Sequence, residues 1–113
     1  MIREEDEMVS AAFEIIVEVG NARSCYIDAI KAAHDGDYEQ ANELIETARK
    51  AFSNGHKAHT GLIQAEARGE NTSMNLILTH AEDQLMSAEA FGILADAFID
   101  VYRRIDQVEG GTR

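Results

Sequence analysis

The sequence predicts an all-α fold, an up-down-up antiparallel three-helix bundle. No proline occurs in the 113 residues, so the strongest helix breaker is missing throughout. Apolar residues recur at alternating three- and four-residue steps, which is the period of a helix and not of a strand. Two glycine-centred breaks, Asp35-Gly36-Asp37 and Gly69-Glu70-Asn71-Thr72-Ser73, cut this pattern into segments of about thirty residues, a length that suits bundles.

The first helix is expected over about residues 4–34. Its core stripe runs through Met8, Ala12, Ile15, Val19, Ala22, Tyr26, Ala29 and Ala33, and a second stripe of Val9, Phe13, Ile16, Ile27 and Ile30 widens the apolar face. The second helix is expected over about 38–68. It opens on a capping-box pattern, Asp37 followed three residues later by Gln40. Its seam of Leu44, Ala48, Ala51, Gly55, Ala58, Leu62 and Ala65 is rich in small residues, so a neighbouring helix can come close. Gly55 in mid-helix costs about 1 kcal/mol relative to alanine, and close packing is one reason to keep it.

The third helix is expected over about 74–105, with Asn71, Thr72 and Ser73 offering N-caps and 106–113, containing Gly110-Gly111, as a short tail. Three stripes of this helix are apolar. The first is Leu78, Ala81, Leu85, Ala88, Gly92, Ala95, Ile99 and Tyr102; the second includes Met74, Ile77, Phe91, Phe98 and Ile105; the third is Leu76, His80, Asp83, Ser87, Ala90, Leu94, Ala97 and Val101. Two partner helices within one chain cannot cover so much apolar circumference. The expectation is an oligomer with the third helix at its centre.

The chain reads as one domain over residues 1–113. Its formal net charge is -11, a field that repels phosphate backbones and argues against nucleic-acid partners. Cys25 is the single cysteine and cannot form an internal disulfide; its neighbours suggest a structural, half-buried thiol. The segment from Met1 to Met8 is charged and unlike a signal peptide, and no apolar run reaches the ~18 residues of a membrane span. A cytoplasmic protein is expected.

Chemistry concentrates in the third stripe, where His80, Asp83 and Ser87 interrupt the apolar run. His80 and Asp83, three apart, share a helix face. A carboxylate at a subunit interface is costly unless paired, protonated or bound to a cation. Copies of Asp83 from symmetry-related subunits could converge on a hard cation such as magnesium, or Asp83 could pair with an arginine. A histidine can take up a phosphoryl group and pass it on, but on spacing alone a lone helix histidine is more often a structural residue. No Glu-x-x-His pair, His-Glu-x-x-His motif or glycine-rich nucleotide loop occurs, which argues against di-iron, zinc-protease and ATP-dependent chemistry. His56 and His59 could share a zinc, without cysteines to support it.

The segment Leu76-Ile77-Leu78-Thr79-His80-Ala81-Glu82-Asp83-Gln84-Leu85-Met86 resembles the His-Ala-Gln-Asp-His-Leu-Met region of the lactose/cellobiose-type enzyme IIA of the bacterial phosphoenolpyruvate-dependent sugar phosphotransferase system. Phe13 to Ser24, Gly36-Asp37-Tyr38 with Ala41, and His56-Lys57-Ala58-His59-Thr60 with Glu66-Ala67 resemble further stretches of that family, so the likeness spans about residues 8 to 105. It implies a homotrimer of three-helix subunits, a nine-helix assembly. It implies a phosphocarrier that accepts a phosphoryl group from phospho-HPr on His80 and passes it to a cysteine of enzyme IIB, with the membrane IIC protein served indirectly. The sugar class implied is a β-glycoside disaccharide of the lactose, cellobiose or chitobiose type. Asp83 is implied as the residue that gathers on the trimer axis and holds one magnesium ion per trimer.

The chain departs from the family pattern where Glu82 and His59 replace glutamines and Gln84 replaces a second histidine. Glu82 is expected to place negative charge beside an incoming phosphoryl group. Two other readings stay open on the residues themselves. One is a non-catalytic helical interaction protein, because Asp35 to Ala41 imitates a tetratricopeptide turn, although no second copy follows at the ~34-residue period. The other is a helical metal-binding module using His56, His59 or Asp83.

Overall fold

The computed structural model describes residues 4–70 and 73–110, with side chains from Asp6 onward. Three helices follow one another, α1 Glu4–His34, α2 Tyr38–Ala67 and α3 Leu76–Val108, and no strand occurs among the described residues. They form the up-down-up bundle the sequence predicts, 62 Å long and about 20 Å across. The expected N-caps Asn71 and Thr72, and the tail from Gly111 on, lie outside the described residues.

The termini follow local chemistry. Asp37 caps α2, its side chain accepting a hydrogen bond from the Gln40 backbone N–H at 3.1 Å, as the capping-box spacing required. The helix closes at Ala67, with Arg68 as its C-cap. α3 begins at Leu76, later than the expected residue 74. Asn75 is extended and its side chain accepts from the Leu78 N–H at 2.8 Å, so the cap falls there and not at Ser73. At the far end α3 runs on to Val108, past the expected residue 105. It stops where Gly110 takes a positive φ of 83° one residue beyond the C-cap Glu109.

α1 is the central strut of the subunit. Every residue of its predicted core stripe, Met8 through Ala33, is buried, and it packs along both other helices, whereas α2 and α3 meet each other much less. Most of the buried positions are alanine, and Ile15 and Val19 are the largest fully buried side chains. Small side chains on facing stripes bring the backbones close, and Gly55 is the limiting case: a Cβ there would lie 2.6 Å from Val19 Cγ1. Close packing is therefore the reason for that glycine. The α2 seam enters the core through Ala41 and Ile45, with Leu44 on its flank; a four-residue step back from Ala48 leads to Leu44, and a three-residue step to Ile45. Ile45 wins because it continues the face of Ala41.

The first predicted stripe of α3 is the one that faces the bundle: Leu78, Ala81, Leu85, Ala88, Ala95 and Ile99 are buried. Apart from half-buried Ser87, the third stripe points away from α1 and α2. Leu76 is 86% exposed, and Leu94 and Val101 are about half exposed at 48% and 47%. A single subunit thus leaves a long apolar face on α3 uncovered. Among the described residues no helix is long and apolar enough to cross a membrane.

Candidate functional site

The site sits in the first turns of α3. Asn75 satisfies the Leu78 N–H, and the Thr79 N–H bonds to the Asn75 carbonyl at 2.9 Å, which fixes the helix start. His80 lies in the second turn and is exposed. Side chains of a helix lean towards its N-terminus, so the imidazole reaches back over the first turn. There the aligned backbone dipoles favour negative charge. Leu76, Ile77 and His80 line an open apolar hollow on the outward face.

The four histidines of the chain have different surroundings. His34 packs edge-on against Tyr102 at 5.5 Å between centroids and pairs with Asp35 at 3.0 Å. His56 is stacked on Phe52 at 6.2 Å. His59 Nε2 donates to Glu82 Oε1 at 2.7 Å. His80 is the one whose ring has no polar or aromatic partner among the described residues. It is an exposed imidazole with both nitrogens available to a reactant.

Asp83 is also exposed and, among the described residues, makes no ion pair. It lies one turn beyond His80 on the same outward face. Ser87 follows and is half-buried, with Arg23 Nη1 of α1 3.5 Å from its hydroxyl. Within one subunit no group of three or more His, Cys, Asp or Glu among the described residues could hold a metal ion. His56 and His59 turn to different partners and do not form a shared site.

Glu82 has a partner that its sequence position did not suggest. Two residues along an α-helix means about 200° around its axis, so Glu82 faces α2 while His80 faces outward. Its carboxylate is held there by His59. The sequence reading missed this pair. A weak signal existed: antiparallel helices that are neighbours in sequence pair near their shared loop, and His59 and Glu82 both lie within about two turns of it.

Half-buried Cys25 has its thiol pushed up by burial and then by the Asp28 carboxylate. Its side chain packs against the core cluster around Ala22, Tyr26 and Ala29, which is a structural role.

The chain is similar to known proteins over nearly its whole length. The family model described as "PTS system, Lactose/Cellobiose specific IIA subunit" matches residues 10–103. The lichenan-specific phosphotransferase enzyme IIA component of Bacillus subtilis is 39% identical over 107 residues, covering 95% of this chain and 97% of that one. The lactose-specific EIIA component of Staphylococcus epidermidis is 34% identical over 99 residues, covering 88% and 95%. Among solved structures, the crystal structure of the PTS cellobiose-specific enzyme IIA from Bacillus anthracis superposes with a TM-score of 0.87 at 36% identity, covering 95% of each chain.

Proposed function

The chain belongs to the lactose/cellobiose-specific IIA family of the PTS and serves as a phosphocarrier in a sugar phosphotransferase system, and we propose that it carries the phosphoryl group on His80. The observation behind this reading is that His80 alone among the four histidines presents a ring without a polar or aromatic partner among the described residues, at the N-terminal end of α3. In the forward step a ring nitrogen of His80 attacks the phosphorus of phospho-HPr. The donor's P–N bond breaks as the new P–N bond forms, and the donor imidazole leaves. In the second step a cysteine thiolate of enzyme IIB attacks the same phosphorus and His80 regains a free nitrogen. Such transfers need positioning and charge stabilisation more than covalent chemistry, and the apolar hollow of Leu76 and Ile77 beside His80 offers both partners a docking platform.

The working form is a homotrimer in this reading. The uncovered face of α3 beyond the His80 turn, from Asp83 through Leu94 and Val101 to Val108, needs a partner surface, and self-association about α3 supplies one. Asp83 lies on that face. One carboxylate per subunit does not make a metal site, but three copies would present oxygen ligands of the kind magnesium prefers. Asp83 would hold one ion per trimer and the ion would offset the repulsion among the three carboxylates. The cytoplasm is the compartment where phospho-HPr and enzyme IIB would be met. The relatives are named for lichenan, lactose, oligo-β-mannoside and cellobiose, which supports a β-linked saccharide as the sugar class served.

Incubation with phosphoenolpyruvate, enzyme I and HPr tests the reading. The chain should gain acid-labile, base-stable phosphate, and His80→Ala should gain none. An unlabelled wild type, or equal labelling of His80→Ala, would contradict it.

A further inference from the structure

Near His80, α2 and α3 are joined by a polar contact. They are the pair of helices with the least packing between them. His59 Nε2 donates to Glu82 Oε1 at 2.7 Å, and the two side chains are 18% and 39% exposed. Leu62, Ile63 and Leu78 adjoin it, beside a hollow that Glu82 also lines. A second α2–α3 ion pair among the described residues, Arg49 to Asp96 at 3.3 Å, is more than half exposed and lies far from His80 along the bundle.

Glu82 and His80 belong to one helical turn, separated by Ala81, which is fully buried. Buried Leu78 and Leu85 seat α3 against the core on either side of this turn, and Ala81 between them adds no long side chain of its own. The Glu82–His59 bond adds a tie from the α2 side. We propose that His59 is a positioning residue for phosphoryl transfer: by holding Glu82 it fixes the rotation of the second turn of α3, and with it the direction in which His80 meets its donor. The inference rests on His80 being the phosphoryl acceptor. In-line transfer is sensitive to such placement, since a reactive group displaced by ~1 Å can lose about a hundredfold in rate.

The test is the single-turnover rate of transfer from phospho-HPr to the full-length chain, at one pH and well below the melting temperature of every variant. His59→Ala and Glu82→Ala should each lower the maximal rate about three- to tenfold while leaving the KM for phospho-HPr unchanged. The double variant His59→Gln with Glu82→Gln should recover to within about twofold of wild type, because one amide can donate to the other across the same gap. Three results would overturn the proposal: wild-type rates in the folded alanine variants, a faster rate in Glu82→Ala (which would make charge repulsion dominant), or a double-glutamine variant as slow as the alanine ones. Failure of the underlying reading looks different, because His80→Ala would then still accept phosphate.

Discussion

Gly55 of α2 lies so close to Val19 of α1 that an added Cβ would sit 2.6 Å from Val19 Cγ1. Two opposing effects meet at this position. Replacing a mid-helix glycine with alanine gains about 1 kcal/mol of helix propensity. Overpacking a core contact costs about 1–3 kcal/mol, and Val19 at 1% exposure has no room to yield. The clash should win. Gly55→Ala is expected to lower stability by about 1–2 kcal/mol in urea unfolding. Gly61→Ala, at a site with nothing within 4 Å, should raise it by up to about 1 kcal/mol. Equal effects of the two substitutions would show that the α1–α2 contact is looser than described.

Tyr26 makes the fold sensitive to alkali. Burial pushes its hydroxyl above the ordinary 10.0, with Arg49 pulling it down and Asp96 pushing it further up. The unfolded chain therefore loses this proton first as pH rises. Stability is complete below the ordinary tyrosine value and declines as pH climbs from there through the folded value. Cys25 acts in the same direction from its ordinary 9.0. Unfolding midpoints measured at about pH 8 and about pH 11 should fall less in Tyr26→Phe than in wild type. An identical fall in both would remove Tyr26 from the explanation.

Much of this architecture was legible in the sequence because helical period and burial agree. The stripe from Met8 to Ala33 is buried at every position, and the third stripe of α3, read as more apolar surface than one chain could cover, is the uncovered face. Boundaries were less legible. Several residues before α3 can cap a helix, and only backbone geometry selects Asn75. Leu44 and Ile45 both fit the period, and packing selects Ile45. For the site, His80 drew its role from family resemblance, since its spacing alone is compatible with a structural histidine. The His59–Glu82 bond escaped because charge patterns were followed along each helix and not across the loop joining two of them.

The start of α3 should depend on its cap. Asn75→Ala leaves the Leu78 N–H without the acceptor it now has at 2.8 Å. A loss of about 1 kcal/mol is expected. Asn75→Asp should keep most of the stability, since its carboxylate accepts the same bond. Amide exchange in the first turn of α3 reports the effect locally, and unchanged protection in Asn75→Ala would show that the cap is dispensable.

The apolar face of α3 should control assembly. Leu94 is 48% exposed in one subunit and lies on the same outward stripe as Asp83. Analytical ultracentrifugation at micromolar concentration should show a trimer for wild type and a monomer for Leu94→Asp, because three carboxylates buried without partners at one interface are strongly unfavourable. A monomeric wild type would contradict the trimer, as would a Leu94→Asp variant that sediments unchanged.

The most direct test of the account is to locate the phosphate. After phosphorylation by phospho-HPr, fragmentation mass spectrometry under alkaline conditions can distinguish His34, His56, His59 and His80 within the chain. The account predicts one phosphate per subunit, on His80. Phosphate on any of the other three histidines, or on none, would contradict it.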